Sequence, residues 1–473
     1  MPTDVWPQAV LDLLATGDDR PVFCDGDRVV TAAGMSALVR RTAAGLRAAG
    51  AGPGTDVALR LGVTAEAFAA TIAAFAVGAR VSGIRTGQST GHLARLLGGD
   101  VLLVDDARLA ELTATADDGG PLIAAGRPDD IARIIWTSGT TGHPKGCLQT
   151  YAAMSAAWAP YPDRWPPAIR ELAARLRRYL VFGSLSSQVM LEYAIVTLAA
   201  GGTLVAARPP GFPAMITRHR ATASVITVGK LHQLVRAQRT DPADLSSLRA
   251  LLVSGSPLPP ARLAEALDVL GPVVFHGYGQ TETGMITMLT PAEMRGPGAV
   301  LASVGRPPAV TRLAVRDAAG RPAAEGELFV RTPAQACGYA GDPAETADVF
   351  ADGWVRTRDL ARLGPDGYLY LLGRARDVII VDATLVYAGP IERALASDPA
   401  VAEAYVVSRP DDVTGEAVHA FVVPADGRTP DPAALRRLVA GSLGEAAAPR
   451  SIRMIDRVPV SPSGKPDKGA LPS

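Results

Sequence analysis

Apolar residues recur at helical spacing from Met35 to Ala49, and the run stops at Gly50–Gly54. A short strand is predicted at Val57–Leu61, then an Ala-rich helix at Ala65–Val77 closed by Gly78, then strands at Arg80–Ile84 and Val101–Asp105. The apolar run Ile131–Trp136 reads as a buried strand. Gly202–Ala207, Ser224–Val228 and Ala250–Ser254 read as further short strands separated by helical segments. Strand and helix in alternation are the pattern of a doubly wound α/β sheet. No internal repeat interrupts it.

After about Gly298 the texture changes. Val304–Pro307, Arg312–Asp317, Gly326–Arg331 and Tyr368–Leu372 are strand-like runs with turn residues between them, which predicts a mostly β subdomain. From Asp377 a smaller α+β unit follows: strand Val378–Val381, helix Pro390–Ala396, strands Ala402–Ser408 and Ala417–Val423, helix Pro432–Leu443. The expected division is a large domain over 1–373 and a small mobile one over 374–473, with a hinge near 374–377.

At 473 residues the chain is too long for one core, and 48% hydrophobic residues are ample for two or three. Lys+Arg and Asp+Glu are both 47, so no net charge favours nucleic acid or an anionic membrane surface. The densest basic cluster, Arg170, Arg175, Arg177 and Arg178, reads as the solvated face of a helix. Cys24, Cys147 and Cys337 are far apart and no CxxC occurs, which fits a reducing cytoplasm without a zinc site. The first residues lack the basic start of a secretory signal. The apolar stretches 65–81 and 189–207 are broken by Glu66, Arg80 and Glu192, as packed elements are and membrane spans are not.

Five constellations carry candidate chemistry. Thr137, Ser138, Gly139, Thr140, Thr141, Gly142 and Lys145 follow a strand; glycines let backbone N–H groups turn toward an anion, hydroxyls add donors and the lysine adds charge. The order Pro144-Lys145-Gly146 is not that of a Walker loop, and by composition alone the stretch also suits a flexible turn. In Gly277-Tyr278-Gly279-Gln280-Thr281-Glu282 a tyrosine free to stack on a purine precedes a hydroxyl and a hard oxygen ligand; a tight turn has the same letters. Asp359, in Trp354–Leu360, offers two acceptor oxygens for ribose hydroxyls or a turn cap. Gly373-Arg374-Ala375-Arg376-Asp377 suits a charged linker, and Pro462-Ser463-Gly464-Lys465 a solvated tail.

In order and spacing these stretches resemble the motifs of the adenylate-forming superfamily: acyl- and aryl-CoA synthetases, peptide-synthetase adenylation domains and luciferases. Ser254-Gly255-Ser256-Pro257-Leu258 and Gly338-Tyr339 resemble further blocks. The resemblance runs from about Thr31 to Leu471. It implies ATP and Mg²⁺, with the loop from Thr137 to Gly142 and Lys145 on the outer phosphates. Gly255, Gly277 and Gly279 would frame the nucleotide, with Tyr278 at adenine, Thr281 at a phosphate or carboxylate oxygen and Glu282 on magnesium. Asp359 would hold the ribose and Arg374 the ribose or phosphate. Arg376 would be the hinge, and Lys465 would bridge the attacking carboxylate and the α-phosphate. The acid would lie among Ser186, Ser187, Gln188, Val228, Ser254, Gly279 and Met285.

Two departures stand out. Arg358 replaces the glycine of the family's Thr-Gly-Asp, and Asp382-Ala383 replaces a Gly-Gly pair near the expected pantetheine tunnel. The stretch Gly183–Gln188 has neither the aromatic or histidine of many acyl synthetases nor the aspartate that holds an α-ammonium. The expected activity is acyl-AMP formation from a small carboxylic acid, then transfer to a thiol, either coenzyme A or a carrier-protein pantetheine. The alternatives are transfer to an amine or other small nucleophile, or a non-catalytic nucleotide-binding relative.

Overall fold

The computed structural model describes residues 5–16, 18–84, 100–116, 120–137, 145–181, 183–185, 187–208, 211–296, 298–382, 384–460 and 466–472. An eight-stranded sheet runs in the order Gly284–Leu289, Val274–Gln280, Ala250–Ser254, Ala223–Thr227, Arg178–Val181, Thr203–Ala206, Pro21–Asp25, Arg28–Thr31. The inner strands are parallel and an antiparallel partner closes each edge. Parallel strands need cover on both faces, and the side chains alternate accordingly. Tyr179, Val225 and Leu252 join one core, while Leu180, Ile226, Leu251 and Val253 join another.

A six-stranded sheet runs Gly338–Tyr339, Lys145–Thr150, Ile131–Thr137, Arg80–Gly83, Asp56–Leu59, Val101–Val104. Between the sheets lies the helix Ala65–Ala76. It is buried at all but one position, as its nearly uninterrupted alanine and phenylalanine sequence requires. Thr64 caps it by accepting from Ala67 N at 3.1 Å. Tyr151 ties this layer together, its hydroxyl donating to Phe75 O at 3.0 Å and Ala79 O at 2.8 Å.

The antiparallel sheet Arg312–Arg316, Glu325–Arg331, Trp354–Leu363 and Leu369–Arg374 forms the β subdomain. Beyond it, Val378–Val381, Thr384–Tyr387, Val401–Asp411, Gly415–Pro424 and Ser451–Met454 make a last sheet. The helices Ala388–Ala396 and Pro432–Leu443 help build its separate core of Ile379, Ile391, Leu395, Val406, Val422 and Leu435. It meets the large part through Arg262 to Val401 O and through Arg236 to Asp426 at 2.8 Å.

The sequence reading needs three corrections. Val304–Pro307 is not a strand; only Arg306 makes an isolated bridge, to Met288. Ile131–Trp136 is a strand, but only Ala132 and Ile134 are fully buried, because the opposite face looks toward a cavity and a second sheet. The arginine cluster is not one helix face. Arg170 lies on the helix Pro167–Ala173, whereas Arg175, Arg177 and Arg178 line an open hollow of about 640 Å³ with Arg218, Arg220 and Arg249, at the ends of the parallel strands away from Tyr278. No helix among the described residues is long and apolar enough to cross a membrane.

Candidate active site

The strands Ile131–Thr137 and Lys145–Thr150 pair antiparallel, with Thr137 opposite Lys145, so the expected phosphate loop joins two hydrogen-bonded strands. Ser138, Gly139, Thr140, Thr141 and Gly142 lie outside the described residues, as does the side chain of Thr137. Lys145 itself is placed. Its Nζ is ion-paired with Glu345 and stands 5.5 Å from the ring centroid of Tyr339. Tyr339 pairs across the sheet with Cys147, and its hydroxyl donates to Glu282 Oε1 at 2.8 Å. Lys145 and Glu282, which are far apart in sequence, thus face one aromatic ring.

Glu345 also takes both arms of Arg358, Nη1 to Oε1 at 2.8 Å and Nη2 to Oε2 at 3.0 Å. These bonds from Arg358, joined by Lys145, hold its carboxyl down at about 2. Arg358 occupies φ +57°. That left-handed conformation explains why glycine suits the position.

A second cluster forms where the large sheet meets the β subdomain. Tyr278 donates its hydroxyl to Asp359 Oδ2 at 2.6 Å, and Gln280 Nε2 donates to the same oxygen at 2.7 Å. Arg374 lies directly across the strand pair from Asp359 and its Nε is 3.2 Å from Oδ1. Asp359 is 6% exposed, so a charged group is held inside the protein by three named partners. Burial, and then the Asp359 charge, push the Tyr278 phenol far up. Gly279 follows a bulge in this strand. A Cβ there would come within 2.3 Å of Gly284 O, so only glycine fits. Thr281 and Glu282 form the turn that follows.

Next to that turn is a cavity of about 340 Å³. Gln188 and Met285 line it, as expected of acid-pocket residues. Ser187, Val228, Ser254 and Gly279 are not on its walls; Ser254 ends a strand and Val228 is buried at the start of a helix. Ser186 lies outside the described residues. Three charged wall residues, Arg133, Arg164 and Glu192, were not among the expected site residues. For Arg133 and Glu192 the available signal was a lone charge inside each apolar run, Ile131–Trp136 and Val189–Ala200. Tyr339 and Glu345 were missed because no short motif links them to Lys145.

At the hinge, Arg374 and Asp377 bracket a short 3₁₀ turn; the Arg376 side chain lies outside the described residues, as does Lys465. Lys468, three residues on, is half-buried and paired with Asp377 Oδ2 at 3.3 Å and Glu392 Oε1 at 2.7 Å. Asp382 is exposed at φ +47°, again a conformation suited to glycine. Gly255 sits at φ +95° at the end of its strand.

Comparison with known proteins agrees with this geometry. The family model "AMP-binding enzyme" matches residues 14–99 and 97–340, and the model "AMP-binding enzyme C-terminal domain" matches 390–465. A feruloyl-CoA synthase of Amycolatopsis sp is 32% identical, covering 94% of each chain. A medium/long-chain-fatty-acid–CoA ligase of Mycobacterium tuberculosis is 33% identical over 74% of this chain and 62% of its own, so the match spans less than two thirds of that relative. Among solved structures, the amide bond synthetase McbA from Marinactinospora thermotolerans superposes with a TM-score of 0.85 at 34% identity, over 97% of this chain and 98% of that one. The chain belongs to the AMP-binding enzyme family, that is, to the adenylate-forming superfamily.

Proposed function

We propose that this protein is an ATP-dependent carboxylate-activating ligase, which forms an acyl-AMP, releases pyrophosphate and passes the acyl group to a thiol. The observation that carries the reading is the meeting of Tyr278 and Arg374 at the buried Asp359 carboxylate in one cluster, with Lys145, Tyr339 and Glu282 in a second. The first cluster suits a nucleoside, offering an aromatic face and a carboxylate for ribose. The second suits phosphates, with a cation that can leave Glu345 for a more highly charged partner.

A substrate carboxylate oxygen attacks the α-phosphorus of ATP, and the bond to the β-phosphate oxygen breaks. Alignment and charge neutralisation carry most of such a step. Lys145 and Lys465 supply positive charge, and Thr281 donates a hydrogen bond. Among the described residues no three His, Cys, Asp or Glu side chains gather to hold a metal by themselves. Glu282 alone fits Mg²⁺, which commonly takes one or two carboxylates with substrate phosphates and water. The ion would neutralise phosphate charge there. We take the domain division at 373/374, with rotation about Arg376 exchanging Lys465 for the acceptor.

A second acceptor reading rests on Asp382, which replaces the glycine expected near the pantetheine path and would narrow that path for a thiol arm, and it is in keeping with the structural likeness to an amide bond synthetase. On that reading an amine attacks the acyl carbon and AMP leaves. Coenzyme A, a carrier protein and a set of amines, offered in parallel to the enzyme with ATP and acid, distinguish the two by product. The activity itself is tested by acid-dependent ATP–pyrophosphate exchange with Lys465→Ala as control. Exchange in the wild type and its loss in the variant support the proposal. Undiminished exchange in the variant removes the lysine from the mechanism, and ADP with phosphate as products refutes adenylation.

A further inference from the structure

The helix Gln188–Ala199 presents Gln188, Leu191, Glu192 and Ile195 to the 340 Å³ cavity, the spacing of one helix face. Gln188 lies beside the turn that carries Thr281 and Glu282, its Nε2 3.6 Å from where a Cβ of Gly284 would be. Glu192 is about one turn along the helix from Gln188, roughly 6 Å along the axis. Trp158, Met154 and Met285 add apolar walls.

Among the described residues the Glu192 carboxylate makes no hydrogen bond and has no cation within the 4.0 Å of an ion pair. Arg133 and Arg164 also line the cavity, and Arg133 is tied to its wall through Nε. Its Nε donates to Gln149 Oε1 at 2.7 Å, and Gln149 Nε2 donates to Ala334 O at 2.5 Å. Removal from water pushes the Glu192 carboxyl up to about 7, while the Arg133 charge opposes this and favours the carboxylate. A carboxylate among apolar side chains is costly until something pairs with it. The space left in front of it is the cavity.

We propose that Glu192 determines the substrate, by accepting a hydrogen bond from an N–H group at the end of the acid remote from its reacting carboxylate. The substrate class is then a planar aryl or heteroaryl acid bearing a ring N–H or an amino group. The apolar walls, Trp158 among them, take the ring, and Gln188, beside the turn of Thr281 and Glu282, lies toward the reacting end. The assignment rests on the acid-activating reading above, which places the substrate in this cavity.

The test uses acids of one bicyclic frame: an indole carboxylate, its N-methyl derivative, which loses the N–H and gains a methyl group, and the benzothiophene carboxylate, in which sulfur replaces the N–H. Calorimetry on the full-length protein measures their binding without turnover, and AMP release is measured alongside. Wild type is expected to bind the N–H acid at least tenfold more tightly than either analogue, and Glu192→Leu to bind all three within twofold. Equal binding to wild type, no binding of any member, or a preference kept by the leucine variant overturns the proposal. Should Glu192→Leu show no cooperative melt, Glu192→Gln decides: a preference reduced at least threefold supports the role, and an unchanged one refutes it. Selective binding without AMP release would leave this assignment standing and sink the proposed activity instead, so the two failures are separate.

Discussion

Arg358 grips Glu345 with both guanidinium arms, at 2.8 and 3.0 Å, from a backbone at φ +57°, and Glu345 in turn holds Lys145. A residue that replaces a glycine is thereby coupled to the lysine expected at the phosphates. Arg358 also reaches Asp348 Oδ2 at 2.5 Å. The extra side chain points away from the Asp359 cluster and organises the acidic helix Pro343–Val349.

The left-handed backbone costs a side chain about 1 kcal/mol, and partly exposed ion pairs return a similar amount. Arg358→Gly is therefore expected to melt close to the wild type. Arg358→Ala keeps the strain and loses the pairs, so it should melt lowest of the three. Scanning calorimetry on the three proteins checks this order; an alanine variant as stable as the glycine one contradicts it.

Glu345 has a native carboxyl held at about 2 against an ordinary 4.5, chiefly by Arg358 and then by Lys145. A depressed carboxyl contributes stability that is complete above its unfolded value and is lost as the pH falls toward its native one. Wild type should lose this contribution between about pH 5 and pH 2. Glu345→Gln should lack that part of the acid dependence, as urea melts across this range will show. The same acid slope in both proteins would contradict the pairing.

Asp359 is expected to act on nucleotide affinity. Asp359→Asn keeps one acceptor oxygen but loses the charge facing Arg374, and hydrogen bonds to charged groups are worth about 1.5–3 kcal/mol. The KM for ATP should rise roughly 10- to 100-fold, with a smaller change in kcat. An unchanged KM would detach Asp359 from the nucleotide.

Lys468 fastens the chain end to Asp377 and Glu392. Lys468→Met should lower kcat for adenylation about tenfold, a loss of roughly 1.4 kcal/mol, while leaving calorimetric ATP binding near the wild-type value. Weakened ATP binding at an unchanged kcat would assign the lysine a different role.

Much of the architecture was legible because periodicity reports burial. The strand Ala250–Ser254 and the helix Pro432–Leu443 agree with the sequence reading to the residue, since each is a sharply bounded apolar pattern. Tyr278, Glu282 and Asp359 could be named as candidates because their motifs are local, and the fold brings Tyr278 to Asp359. Val304–Pro307 misled because its glycine bends under Met288, where Gly305 stands at φ +92° and a Cβ would clash with Met288 O at 2.2 Å. Partners joined only by folding were not legible. Glu345 reaches Lys145 across about 200 residues, and Glu192 looked like an interruption in an apolar run until the helix turned it into a cavity.

The central claim, attack of a carboxylate on the α-phosphorus, is tested most directly with an acid labelled with ¹⁸O in both carboxylate oxygens. Because the bridging oxygen of the acyl-adenylate comes from the acid and leaves with the nucleotide, mass spectrometry should find one ¹⁸O in each AMP released. Unlabelled AMP, or label in inorganic phosphate beside ADP, would contradict the account.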